Sequence, residues 1–170
     1  MMLAIMENIA DRLDAGQRID PGNLEKIPKF IRDYADSCHH AKEEGLLFKE
    51  LEAAGMPVEG GPITVMLQEH EMGRVFVVRI ADAIDRYQKG DPEANKDVAE
   101  SMRNYIGLLG LHIDKEDQIL YPLADDRLSP EAQRRLSEGF ERIEQDVIGS
   151  GRHEEFQSML QEFQNTYLRE

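Results

Sequence analysis

Three histidines stand on helix faces that would otherwise be wholly apolar. A helix turns by roughly 100° per residue, so positions three, four, seven and eight apart share a face. His112 falls on a face with Val98, Met102, Tyr105, Leu108, Leu109, Ile119, Leu120 and Leu123, and Glu116 follows one turn later. His70 shares its stripe with Ile63, Met66, Leu67, Val77, Val78, Ala81 and Ile84, with Arg74 one turn on and Gly73 permitting close helix approach. His39 and Glu43 repeat the His-x-x-x-Glu spacing beside Ile31, Ala35 and Leu46. His40 and Glu44 have the same spacing, but they share a side with Lys29, Asp33 and Asp36, which reads as the solvated one. His153 lies in a polar segment and is given no role.

A carboxylate buried without a partner costs several kcal/mol, so Glu43 and Glu116 need a cation or strong donors beside them. One histidine on an apolar face is usually a satisfied core residue, and one His-x-x-x-Glu pair does little more than steady a helix. Three helices each turning a histidine inward, two with a glutamate one turn later, is a different matter. That set predicts a metal site of His39, Glu43, His70, His112 and Glu116. No cysteine joins it, which excludes a thiolate zinc site. Mixed imidazole and carboxylate donors suit iron, manganese or zinc. Two glutamates able to bridge favour two metal ions over one.

Glycine and proline divide the chain into the helices that must carry these residues. Residues 2–13 form a short amphipathic helix with Met2, Met6, Ile9 and Leu13 on one stripe. A second helix starts at Asp20-Pro21 and runs to about Ala54, with Pro28 either kinking it or marking its true start. Helices over 63–89 and from Glu93 to about Ala124 follow, then one from Pro130 to about Ile148 and one over 154–168. No segment has the β-branched alternation of a strand. The expected fold is all-α, a single domain over 1–170. It is an up-down-up-down four-helix bundle over about 1–125, with two additional C-terminal helices over about 129–168.

Composition narrows the partners. Lys and Arg number 20 against 34 acids, a net charge of −14, which argues against nucleic acid. No run of eighteen apolar residues exists to span a membrane, and the N-terminus lacks the features of a secretory signal. With Cys38 the one cysteine, no intrachain disulfide is possible, and a cytoplasmic setting is expected. Cys38 itself reads as a small buried apolar residue. The C-terminal helices offer an apolar face, with Phe140, Ile143 and Val147, to a second copy, to another protein or to the bundle itself.

The segments His39-His40-Ala41-Lys42-Glu43-Glu44, Glu69-His70-Glu71 and His112 through Pro122 resemble, in this order, the motifs of the hemerythrin-like, or HHE cation-binding, family. The resemblance covers roughly residues 1–125. It implies a bundle holding a non-haem di-iron centre, with His39, His70 and His112 as terminal ligands and Glu43 and Glu116 as bridges. It also implies reversible dioxygen binding, sensing of oxygen or iron, or a part in nitrosative-stress repair. Two positions depart from the family. No histidine stands on the first helix, so the chain is truncated, the site is incomplete, or His40, Glu44, solvent or a partner chain substitutes. Arg74 stands where the oxygen carriers have a second histidine, which argues against oxygen carriage and suits pairing with a glutamate or an anion. A binding or sensing role is expected first. The alternatives are a di-iron enzyme acting on peroxide, nitric oxide or ferrous iron, with Tyr105 near the metals, and a metal-free helical interaction module.

Overall fold

The computed structural model describes residues 1–149 and 152–168, with side chains at all of these except 147, 148, 152 and 153. Among them there are six helices and no strand. We number them α1 (Met2–Asp14), α2 (21–53), α3 (Pro62–Gln88), α4 (94–127), α5 (130–148) and α6 (152–168). The helices α1 to α4 form the bundle, and α5 and α6 are the added C-terminal pair. Two starts carry the expected chemistry: the Asp20 carboxylate accepts from the Gly22 N–H at 3.2 Å, and the Ser129 hydroxyl accepts from the Ala132 N–H at 3.2 Å. Pro28 does not mark the start, because α2 begins at Pro21 and passes through it.

Two long helices change pitch where the motifs lie. In α2 the backbone is π-helical over Ile31–His40 and again over Glu43–Leu47, and in α4 over Glu116–Leu120. A π turn bonds each N–H to the carbonyl five residues back, so one turn holds an extra residue and the faces rotate out of the 3.6 period. This is why Ile119, expected inside, is exposed. Val78, expected on the His70 stripe, is exposed as well.

The core has two apolar ends. One gathers Ile5, Met6 and Ile9 of α1, Leu24 and Ile27 of α2, Ile80 of α3, Met102 of α4 and Phe163 of α6. Cys38 belongs to this end, buried as expected. The other gathers Leu51 of α2, Ile63 and Met66 of α3, Leu120 of α4 and Leu136 of α5. Helix α1 is about 20 Å long and contributes only to the first end. At the second end α5 supplies apolar side chains that α1 does not. Between the two, along α2, α3 and α4, lies a polar layer holding the histidines.

Two anchors hold α1 and the segment after it. Arg103 of α4 reaches Glu7, Asp11 and Asp14 of α1 at 3.1, 2.7 and 2.6 Å. The Tyr87 hydroxyl accepts from the Ile19 N–H at 2.9 Å and donates to the Ile19 carbonyl at 2.8 Å. No helix among the described residues is long and apolar enough to cross a membrane.

Candidate metal centre

The polar layer brings Glu43 of α2, His70 of α3, and His112 and Glu116 of α4 together. One nitrogen or oxygen from each lies within 4.8 Å of the others. All four residues are 4% exposed or less. His40, His70 and His112 form a second set by the same measure, with the His40 and His70 rings stacked 3.8 Å apart. His40 was expected on the solvated side, yet it is only 6% exposed. The π turns of α2 rotate it inward. His39 belongs to neither set. Its side chain is 41% exposed, and its Nε2 lies 3.3 Å from Glu116 Oε1 and 3.8 Å from Glu43 Oε2. Of the five expected ligands, then, four converge and His39 sits at their rim.

The three buried rings share one arrangement. In each, Nδ1 faces a carboxylate: Asp36 for His40 at 3.3 Å, Glu44 for His70 at 2.7 Å, and Glu69 for His112 at 3.0 Å. Those carboxylates are themselves held. Arg74 donates from Nε to Asp36 at 2.8 Å and from a terminal nitrogen to Glu44 at 2.7 Å. Lys115 donates to Glu69. The other nitrogen, Nε2, of all three rings points into the layer, buried and without a hydrogen-bond partner, and so does Glu43 Oε2. His70 Nε2 is 3.2 Å from Glu43 Oε2, but the two are not aligned for a hydrogen bond. Glu43 is steadied at its other oxygen by the Tyr121 hydroxyl at 3.0 Å.

Buried polar atoms almost always find partners. Four of them orphaned within one buried layer, in two groups that share His70 and His112, is the signature of donors arranged for something that is not protein. Histidines that bind metal usually give their second nitrogen to a carboxylate, which fixes tautomer and ring orientation. Asp36, Glu44 and Glu69 do that here. The donor set, imidazole nitrogens and carboxylate oxygens with no sulfur, fits a first-row metal ion of the iron, manganese or zinc type.

Electrostatics agree with this geometry. Burial, then the neighbouring His70, pushes His40 down to about 4, so at neutral pH its ring is uncharged and free to donate a lone pair. Burial disfavours charge on Glu116, but the His112 and His39 rings close beside it outweigh this and hold the carboxylate ionised. Burial likewise opposes ionisation of Glu44 and Glu69. Arg74 and His70 reverse this for Glu44, and Lys115 and His112 for Glu69.

Two cavities reach the layer. One, about 240 Å³, lies between α2, α3 and α4 and is lined by Val77, Tyr105 and Leu108 together with His40, His70 and His112. The other, about 600 Å³, touches His39, His112 and Glu116, and its outer wall includes Met2, Phe156 and Leu160. The roles of Asp36, Glu69, Lys115 and Tyr121 were not anticipated. Asp36 stands four residues before His40, a spacing that could have flagged it. The others come from separate helices and leave no local trace.

Fold and layer together define a helix-bundle protein whose core is laid out to receive a cation. The chain matches the hemerythrin HHE cation binding domain over residues 1–124 and belongs to that family. Two uncharacterised proteins of Mycobacterium tuberculosis, from different strains, and one of Mycobacterium bovis are each 30% identical to it over 131 residues. The match covers 76% of this chain and 50% of each relative, so the chain spans about half the length of the curated relatives it matches. No solved structure matches the chain.

Proposed function

We propose that this chain is a non-haem di-iron protein that binds or senses dioxygen, nitric oxide or iron itself. The observation that carries the reading is the buried cluster of Glu43, His70, His112 and Glu116, in which His70 Nε2, His112 Nε2 and Glu43 Oε2 have no hydrogen-bond partner. We assign Glu43 and Glu116 as the carboxylates shared by two ions, His70 and His112 as terminal ligands, and His39 as a ligand at the rim. Iron held there would supply redox chemistry toward a small ligand. The protein's own residues do the rest. Asp36, Glu44 and Glu69 fix the ring orientations, Tyr121 holds Glu43, and the apolar wall of Val77 and Leu108 favours an uncharged diatomic over water.

A di-iron enzyme acting on peroxide, nitric oxide or ferrous iron is the second reading. It is favoured by Tyr105, which borders both cavities and whose hydroxyl burial keeps protonated. The test begins with metal content and absorption spectrum of the full chain loaded anaerobically with ferrous iron. We expect about two irons per chain. We also expect a melting temperature that falls when a chelator removes them, because a ligand bound only to the folded state stabilises it. No retained metal and an unchanged melting temperature would overturn the reading in favour of a metal-free helical module. Steady turnover of peroxide or nitric oxide would move the assignment to the enzyme.

A further inference from the structure

We infer that Arg74 is a positioning residue: its one guanidinium, acting through Asp36 and Glu44, fixes the His40 and His70 rings on two different helices before any metal arrives. The role rests on the metal-centre reading and adds to it the residue that aims two of the donors.

The contacts form one branched chain. Arg74 Nε donates to Asp36 Oδ1 at 2.8 Å, and a terminal nitrogen donates to Glu44 Oε1 at 2.7 Å. The same two oxygens meet the rings. Asp36 Oδ1 lies 3.3 Å from His40 Nδ1, and Glu44 Oε1 lies 2.7 Å from His70 Nδ1. An ionised carboxylate only accepts, so the nitrogen facing it carries the hydrogen, and in a neutral ring Nε2 keeps its lone pair. Both Nε2 atoms are buried and unpartnered. The two rings stack 3.8 Å apart and within 12° of parallel, so neither can swing without meeting the other. His112 is served separately, through Glu69 and Lys115.

Arginine suits this task better than lysine, because its planar fork presents several N–H groups in fixed directions and can hold two carboxylates at once. Asp36 and Glu44 lie in different π-helical stretches of α2, Ile31–His40 and Glu43–Leu47, while Arg74 and His70 belong to α3. One side chain thus sets both stretches against the neighbouring helix. The side chains of Arg74, Asp36 and Glu44 are 35, 34 and 30% exposed. Ion pairs so open to water add little to folding stability. The effect of Arg74 therefore falls on the direction of the rings rather than on the fold.

The test reads the rings and the metal separately. Proton–nitrogen NMR of the metal-free full chain reports the imidazoles, and anaerobic titration with ferrous iron against a competing chelator reports affinity. In the wild-type chain His40 and His70 should each give one sharp set of ring signals with hydrogen on Nδ1. Arg74→Ala should broaden or split both sets, leave that of His112 in place and weaken iron binding by roughly 10- to 100-fold. The melting temperature of the metal-free chain should stay nearly the same. Replacing Asp36 and Glu44 together by alanine should reproduce these effects, and adding Arg74→Ala to that pair should weaken binding little further. Arg74→Lys should recover only part of the affinity. Unchanged ring signals in Arg74→Ala, or a loss of affinity that adds in full to that of the pair, would overturn the role. So would a large fall in metal-free melting temperature, which would make Arg74 a support of the fold. A wild-type chain that binds no iron, with rings that still respond to Arg74→Ala, would overturn the metal-centre reading and leave the positioning of the rings standing.

Discussion

Glu116 is the side chain on which the polar layer turns. It lies 3.0 Å from His112 Nε2 and 3.3 Å from His39 Nε2, and at 4% exposure it has little access to water. Glu116→Ala is therefore expected to lose most bound metal. It should also erase the difference in melting temperature between loaded and chelated protein, which thermal denaturation with and without chelator will show. Full metal retention in that variant would remove Glu116 from the ligand set. This residue was legible in the sequence because His112 and Glu116 sit one turn apart on a stripe that is otherwise apolar. His70 was legible for the same reason. His40 was not, because a period of 3.6 assigns it to the side of Lys29 and Asp33. The backbone over Ile31–His40 does not keep that period. Arg74 stood out as a charge on an apolar face, but that it serves two histidines at once depends on where α2 lies against α3.

At the scale of the helix, the π turns are where local structure gives way to the site. Glu43 and Glu116 each open one, and His39 and His40 close another. Such turns are uncommon and often lie at functional positions. They leave little mark in composition, which explains why helix positions were readable but their pitch was not. The segment between α1 and α2 makes the opposite case, where one side chain does the work of regular structure. Both polar backbone groups of Ile19 are satisfied by the Tyr87 hydroxyl. Tyr87→Phe leaves them both without that partner and is expected to cost about 1–3 kcal/mol, measured by urea denaturation with metal content unchanged. A loss near zero would mean that solvent replaces the hydroxyl at no cost.

Across the whole molecule, the C-terminal helices were expected either to cap the bundle or to present a docking face. Phe163 of α6 is fully buried in the same apolar end as Ile5 and Ile9 of α1, edge-on to Tyr167 and with the Lys26 ammonium over its ring. Phe163→Ala is expected to cost about 3–5 kcal/mol, seen as a lower denaturation midpoint of a single transition. A separate early transition would instead mark α6 as an independent unit. Phe140 and Ile143 of the expected apolar face are partly buried, while Val147 lies outside the described side chains. How α5 and α6 attach could not be read from the sequence, because an amphipathic stripe states that it needs a cover without saying which.

The cavity beside His39 and Glu116 takes part of its wall from Phe156, Gln157 and Leu160 of α6, beyond residue 124 where the family match ends. The donors and the doorway are therefore written in different stretches of the chain. Drift in the last helix can widen, narrow or recharge the approach without disturbing a single ligand. Lineages sharing one metal core are thus free to part ways in what they admit to it.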